Sequence, residues 1–193
     1  MGLKRNTAFV AGLLLVLCSF AVLLGSGIHD YVVQQRAEKL VERMEALLPE
    51  RTEGTMHTHA DGVMPVLQLD GVDFSGLLHF PDLQRTLPIQ GSWEKEAVFS
   101  NPCRFWGSVY NGNLVIGGGD QLGQFDFFHQ LQPGSQVVVT DMTGTEFSFR
   151  VRQIDRATQA GADFLIREDT ALTLFVRQRY SLEYLVVRCD WNH

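Results

Sequence analysis

Three cysteines and six histidines are the side chains of this chain that could serve as nucleophile, general base or metal ligand. A cysteine thiolate attacks a carbonyl carbon when a histidine lies close enough to exchange protons with the reacting groups. Cys18 lies inside a long apolar segment, which leaves Cys103 and Cys189 for such chemistry. These two either pair as a disulfide or stay as two buried thiols, and their separation in the sequence does not decide between the two.

The histidines give little support for a metal site. His57 and His59 form an H-x-H pair close to Asp61, but no further imidazole or cysteine follows at metal-ligand spacing. His79 and His129 stand in an apolar strand and an apolar helix, where a packed histidine is expected. No serine occupies a G-x-S-x-G turn, and no glycine-rich stretch has the spacing of a nucleotide-binding loop. We therefore expect neither a metal nor a cofactor.

Composition excludes two further classes of protein. The 193 residues are 45% hydrophobic and 20% charged, which is typical of a folded chain and not of a disordered one. The net charge is −6, with 16 basic against 22 acidic residues. Such a chain has no strong positive field to attract phosphate, so we expect no nucleic-acid partner.

An uncharged segment at residues 6–28 fixes the predicted compartment. A bilayer-spanning helix needs about 20 mainly apolar residues, and this segment is long enough. Lys4 and Arg5 precede the segment and the next basic residue is Arg36, so the charge bias keeps the N-terminus inside the cell. The alternative is a cleaved signal peptide, for which Gly25-Ser26-Gly27 supplies small residues. The length of the segment favours an uncleaved anchor.

The chain then divides into three parts. Residues 1–28 form a cytoplasmic tip and a transmembrane anchor. Residues 29–65 form a stalk helix, with apolar residues at three- and four-residue spacing as far as Leu48, followed by a linker. Residues 66–193 form the folded domain. With either interpretation of the apolar segment this domain lies outside the cell membrane.

The folded domain is predicted to be mainly β. Short β-rich runs separated by turn residues are typical of a sandwich or a barrel, and one helix near Gln124–Leu131 interrupts them. Alternation of apolar and polar residues is clearest from Thr145 to Ile154, which indicates one buried and one solvated face. The seven runs are Gly76–Phe80, Thr86–Ile89, Asn113–Gly118, Gln136–Asp141, Thr145–Ile154, Ala171–Val176 and Glu183–Cys189.

Taken in order, stretches of this domain resemble the sortases, the membrane-anchored cysteine transpeptidases of Gram-positive cell envelopes. The resemblance implies a closed β-barrel of about eight strands with one or two short helices, preceded by an N-terminal membrane helix. The stretches are Gly76-Leu77-Leu78-His79-Phe80-Pro81, Pro102-Cys103-Arg104-Phe105-Trp106-Gly107-Ser108, Asn113-Leu114-Val115-Ile116-Gly117-Gly118, Leu172-Thr173-Leu174-Phe175 and Leu185-Val186-Val187-Arg188-Cys189.

The resemblance also indicates where the catalytic residues of the family should stand. Its histidine follows an apolar strand that ends in glycine, and here that position is Gly119. Its cysteine closes a Thr-Leu-x-Thr-Cys pattern, and here Arg177 stands there. Its arginine lies on the last strand, at the position of Tyr184. Glycine carries no proton and an arginine offers only N–H donors, so the resemblance implies an inactive member, a pseudoenzyme on the outer face of the membrane.

A barrel without its chemistry can keep a binding groove. We expect Arg177, Tyr184, Asp120 and Arg188 to line it, where a fixed cation would bind a carboxylate such as a peptide C-terminus or an acidic wall component. Alternatively Arg177 pairs with an acidic residue such as Asp120. The implied partner is a cell-wall or surface-protein peptide. Two other functions stay open: an active sortase with relocated residues, and a structural accessory of envelope or pilus assembly.

Overall fold

The structure, a computed structural model, describes residues 12–19, 34–54, 62–178, 181 and 183–192. Residues 12–19 are helical and belong to the predicted anchor, most of which lies outside the described residues. Among the helices formed by the described residues, none combines the length and the apolar character needed to cross a membrane. The membrane span therefore stays a prediction. His57 and His59 also lie outside the described residues.

All seven predicted β-runs are strands, and the structure adds three that the sequence did not indicate. The added strands are β1, β2 and β5, of which the first two are short. In chain order the strands are β1 (Thr52–Glu53), β2 (Leu67–Leu69), β3 (Val72–Phe80), β4 (Arg85–Gln90), β5 (Cys103–Trp106), β6 (Leu114–Gly118), β7 (Gln136–Asp141), β8 (Thr145–Ala157), β9 (Leu172–Arg177) and β10 (Tyr184–Trp191).

Strands β3 to β10 close into a barrel of eight strands, as predicted. Around the barrel the order is β3, β4, β5, β6, β9, β10, β8 and β7, and β7 pairs again with β3. Within this ring the β4–β5 and β6–β9 pairs are parallel and the others antiparallel. Strands β1 and β2 extend the sheet outside the ring.

The barrel interior is filled by alternate residues of each strand. Phe147, Phe149 and Val151 of β8 are buried there, which confirms the alternation predicted for this strand. The 3-10 helix Phe125–Gln130, at the position of the predicted helix, adds Phe125, Phe127 and Phe128 to the same core. Closed barrels of this size are filled by side chains and leave no central channel.

The outer faces of β9 and β10 are buried as well. Phe175 and Val186 point away from the barrel interior and pack with Leu165 of the short helix Ala162–Leu165. This helix belongs to the β8–β9 connection, residues 158–171, which we call the roof loop. Because the loop covers these strands, their sequences are apolar on both faces and not alternating.

The predicted stalk helix spans residues 34–47 and packs on the barrel. Val41 and Met44 are buried against Phe74 and Leu77 of β3. The Leu48 N–H donates to the carbonyls of Met44 and Glu45 and closes the last turn of the helix, and Pro49 follows. The helix is therefore part of the folded domain.

Replacing Met44 by alanine should lower the free energy of unfolding by about 2–5 kcal/mol, because it removes a fully buried side chain from this contact. Leu47 is 58% exposed on the same helix, so Leu47→Ala should change it by less than about 0.5 kcal/mol. Guanidinium denaturation of the full chain measures both. If Met44→Ala changes the free energy of unfolding as little as Leu47→Ala does, the helix does not unfold together with the barrel.

Candidate functional site

Parallel pairing brings the three predicted catalytic positions to one edge of the barrel. Gly118, the last residue of β6, lies opposite Val176 of β9, so Gly119 follows β6 where β9 ends at Arg177. Strand β10 runs antiparallel to β9 and begins there, with Tyr184 directly opposite Arg177. Gly119, Arg177 and Tyr184 therefore lie together at one edge of the barrel, and their correspondence to the catalytic positions of the sortases stays a prediction.

A cavity of about 380 Å³ opens at this edge, within the range of about 300–1,000 Å³ typical of ligand pockets. Three of the four predicted groove residues line it, namely Asp120, Arg177 and Tyr184, and Gly119 lines it as well. Most of the other lining residues are apolar. The complete set of these other lining residues is Trp93, Lys95, Val98, Phe99, Phe105, Gly118, Gln121, Ala160, Leu165, Phe175 and Gln178.

Three aromatic rings form one wall of the cavity. The ring centroids of Trp93 and Phe105 are 5.2 Å apart, and Phe175 lies 5.6 Å from Trp93 and 5.5 Å from Phe105. Such separations are those of favourable edge-to-face and tilted aromatic pairs. The rings lie over Gly117, where a Cβ would collide with Trp93 and Phe175. Glycine at this position is therefore a requirement of the aromatic wall.

The space above Gly119 is taken by a neighbouring amide. A Cβ at Gly119 would collide with the end of the Gln121 side chain, whose Nε2 donates a hydrogen bond to the Phe99 carbonyl. The Gly119 N–H donates to Oε1 of Gln124 at 3.0 Å, and its carbonyl accepts from the Phe125 N–H. The turn after β6 is thus held by hydrogen bonds, and Gln121 occupies the place that a side chain at 119 would need.

The cavity wall carries two cations. Lys95 and Arg177 are both exposed, and neither forms an ion pair with a carboxylate of the described part of the chain. The ion pair expected between Arg177 and Asp120 is not formed. Asp120 has an interaction partner of its own. The Arg177 guanidinium is therefore available to a ligand.

Arg188 does not line the cavity, which corrects the prediction that it does. Its side chain is fully buried on the outer face of β10, beneath the roof loop. Nε donates to Asp155 Oδ2 at 2.8 Å, and Nη2 donates to the Phe164 carbonyl at 2.7 Å. The guanidinium also lies 5.0 Å from the centroid of the Phe164 ring. The residues that neighbour Arg188 in the sequence gave no sign that a loop would cover it.

Through these contacts Arg188 holds the roof loop against the barrel. The loop supplies Ala160 and Leu165 to the cavity, so its position sets the height of the cavity. Arg152 adds a second attachment, donating to the Asp169 carbonyl at 2.9 Å and to Thr170 Oγ1 at 3.1 Å. Arg188 therefore supports the site from behind and does not reach a ligand in it.

Cys103 and Cys189 are both free and both buried, so the disulfide that the sequence left open is not formed. Burial raises the pKa of the Cys103 thiol to about 11 and raises the pKa of the Cys189 thiol as well. Cys189 lies inside the barrel, and the Cys103 thiol donates to the Asn101 carbonyl at 3.3 Å. Neither thiol lines the cavity.

The described residues that line the cavity include no cysteine, histidine, serine or threonine. His79 lies on β3, away from the cavity, with its ring nitrogens 3.0 Å from the hydroxyls of Thr86 and Thr140. Burial lowers its pKa. His129 is exposed, contrary to the packed position expected for it. The histidines at 79 and 129 are thus both outside the cavity wall.

Sequence reasoning missed the apolar part of the site. Phe175 stands two residues before Arg177 on the same face of β9, so strand alternation could have found it once Arg177 was placed. Trp93 and Lys95 come from the β4–β5 connection, which has no periodicity and gave no signal. Gln121 lies in the turn after β6, between Gly119 and Gly123, and no sequence pattern marks it as a site residue.

Comparison with solved structures supports the fold. Sortase C1 from Streptococcus agalactiae superposes with a TM-score of 0.56 at 18% identity, covering 72% of this chain and 78% of that one. Clostridium perfringens sortase C with the C-terminal cell wall sorting motif gives 0.54 at 20% identity, covering 63% and 71%. Sortase C-1 from Actinomyces oris gives 0.54 at 18% identity, covering 61% and 73%.

No family model matches the chain, and no curated protein matches its sequence. At identities below 25% the structural likeness establishes the fold alone. The chain therefore has a sortase-like fold, a mainly β closed barrel of eight strands with few helices. Because one fold supports several chemistries, the function has to be argued from the cavity.

At pH 8 the thiols of Cys103 and Cys189 should resist iodoacetamide in the folded full chain, because both are buried and the raised pKa of Cys103 keeps it protonated. Mass spectrometry should find all three cysteines modified after unfolding in guanidinium without reductant. A pair of cysteines that stays unmodified under those conditions would indicate a disulfide.

Replacing Asp155 by alanine should lower the free energy of unfolding by about 3 kcal/mol, because it leaves the buried Arg188 guanidinium without its carboxylate. The double variant Asp155→Ala with Arg188→Met should recover part of this loss. Asp70→Ala, which breaks an exposed ion pair with Arg43, serves as control and should leave the midpoint nearly unchanged. Equal effects of the two aspartate substitutions would contradict this account of the roof loop.

Proposed function

We propose that this chain is a catalytically inactive, sortase-like protein, a pseudoenzyme that binds a peptide or another envelope component without turning it over. One observation carries the proposal. The cavity where β6, β9 and β10 meet holds Gly119, Arg177 and Tyr184, and its described lining includes no cysteine, serine, threonine or histidine. Ser181, in the connection between β9 and β10, does not line the cavity, and its hydroxyl donates a hydrogen bond to Gln178 Oε1. Residues 179, 180 and 182 of the same connection are Arg, Tyr and Leu, so they add no cysteine, serine, threonine or histidine.

The chemistry of acyl transfer supports this proposal. The reaction needs a nucleophile, a group that exchanges its proton and a donor that stabilises the oxyanion. Arg177 and Tyr184 could supply hydrogen-bond donors, but Gly119 cannot move a proton and a guanidinium cannot attack a carbonyl. Removal of the nucleophile alone costs about a million-fold in turnover in another hydrolase. The remaining groups can hold a ligand but lack the means to form an acyl-enzyme.

The two cysteines argue against an enzyme with relocated residues. A thiol reacts through its thiolate, and burial disfavours that form at both Cys103 and Cys189. Reactive cysteines instead lie in partly exposed, electropositive surroundings. Within the described residues that description fits the environment of Arg177, where the chain has no thiol.

The likeness of the fold and the predicted anchor together suggest the setting. One structure of similar fold is that of Clostridium perfringens sortase C with the C-terminal cell wall sorting motif. For the present chain we propose single-pass anchoring through residues 6–28, with the barrel on the outer face of a Gram-positive cell membrane. A cell-wall or surface-protein peptide would then reach the cavity from the envelope.

The full-length chain, incubated with hydroxylamine and the sorting-motif peptide, should form no peptide hydroxamate, because no thioester can form at the cavity. Clostridium perfringens sortase C, treated in the same way, is the positive control. Intact-mass spectrometry in the absence of hydroxylamine should likewise detect no acyl adduct on the chain.

Hydroxamate formation that disappears in Cys103→Ala or Cys189→Ala would contradict the proposal and establish a relocated nucleophile. Binding is tested separately by calorimetric titration of the unmodified chain with the same peptide and with soluble envelope fragments. Absence of binding by all of them at millimolar concentration would contradict a binding function for the cavity.

A further inference from the structure

The cavity combines an apolar interior with positive charge, which restricts what it can bind. Aromatic and aliphatic side chains make up most of its lining, which also carries two cations, Lys95 and Arg177, and one carboxylate, Asp120. The two cations have no ion-pair partner among the described residues, whereas Asp120 has an interaction partner of its own. The whole chain carries a net charge of −6, so the excess of positive charge at this cavity contrasts with the acidic character of the chain. A ligand with an apolar body and an anionic end complements both features.

We propose that the cavity recognises the free C-terminal carboxylate of a peptide whose last side chain is apolar. This inference rests on the proposed binding function and specifies its ligand. Arg177 would hold the carboxylate through paired N–H donors, the geometry in which a guanidinium binds a carboxylate most strongly. The terminal side chain would lie against the aromatic wall of Trp93, Phe105 and Phe175.

The distance between Arg177 and the aromatic wall favours the C-terminal residue of a peptide as the ligand group. Arg177 and Phe175 are two residues apart on one face of β9, a separation of about 7 Å along an extended strand. A terminal residue carries its carboxylate and its side chain on the same Cα, so it can reach both groups at once. The carboxylate of an internal glutamate, by contrast, lies at the end of the side chain that would have to fill the apolar wall.

Polar side chains in the lining favour a peptide over a hydrocarbon acid. Gln121, Gln178 and Tyr184 line the same cavity, and together they supply amide and hydroxyl groups. The Gln178 Oε1 accepts a hydrogen bond from Ser181, which leaves the Nε2 donors of Gln178 for other partners. Peptide bonds satisfy such groups, whereas an alkyl chain would leave them unpaired on burial.

Isothermal titration of the full-length chain tests this inference with matched probes. The probes are N-acetyl-Ala-Leu-Phe with a free carboxylate, the same peptide as its C-terminal amide, and decanoate. The free acid should bind at least about tenfold more tightly than the amide, because only the acid can pair with a guanidinium. Decanoate should bind more weakly than the peptide acid.

Arg177→Gln should abolish the preference for the acid and leave acid and amide within about twofold of each other, whereas Arg177→Lys should keep part of the preference. Arg177 is exposed, so neither substitution should affect folding, and a thermal melt checks this. The matched control is Arg36→Gln, which removes one positive charge from the exposed face of the 34–47 helix. This variant should behave as the unmodified chain does.

The possible failures are distinguishable. Equal binding of acid and amide by the unmodified chain would overturn the inference and leave the proposed binding function intact. An acid preference that survives Arg177→Gln would overturn the assignment to Arg177. Tighter binding of decanoate than of the peptide acid would overturn the inference of a peptide ligand and indicate a lipid-like acid. If neither these probes nor the sorting-motif peptide binds at millimolar concentration, the proposed function falls together with the inference.

Discussion

The parallel pairing of β6 with β9 is the constraint on which this site depends. Two antiparallel neighbours place the end of one strand beside the beginning of the next, whereas two parallel strands end at the same edge. Here that edge brings Gly119 and Arg177 together although they are far apart in the chain. Because β10 then runs antiparallel to β9, its first residue, Tyr184, joins them. The side chains at these positions can change without moving the positions, because backbone hydrogen bonds hold them.

The second constraint is that β9 and β10 are covered on both faces. The barrel core takes one face and the roof loop takes the other, so an arginine on the outer face of β10 loses its contact with water. Burying such a charge is costly unless it is paired and hydrogen-bonded. Arg188 meets this condition through Asp155 and the Phe164 carbonyl, although its Nη1 has no partner among the described residues. The same contacts fix the roof loop, which links the burial of a charge to the shape of the cavity.

The comparison of sequence and structure separates what local patterns determine from what tertiary packing determines. The strands β3, β4 and β6 to β10 were predictable because period and turn residues are local properties, and the resemblance to a known fold placed Gly119, Arg177 and Tyr184 at one point. Strand β5 was missed, since it is short and pairs with β4 at a single register position, Gln90 with Cys103. The burial and the partners of Arg188, Cys103 and Cys189 depend on which loop covers which strand. No local sequence pattern contains that information.

The aromatic wall bears on the binding function that we propose for the cavity. Trp93 of the wall is 37% exposed and Phe99, another residue of the cavity lining, is 64% exposed. Exposed apolar side chains of this size contribute little to stability. Gly117 has to stay free of a side chain for the wall to form, although glycine in a strand weakens it. Smaller, polar residues in place of the exposed rings, and alanine in place of Gly117, would remove both costs in a pocket that binds nothing. A ligand that covers the rings would offset these costs, and this supports the binding function that we propose for the cavity.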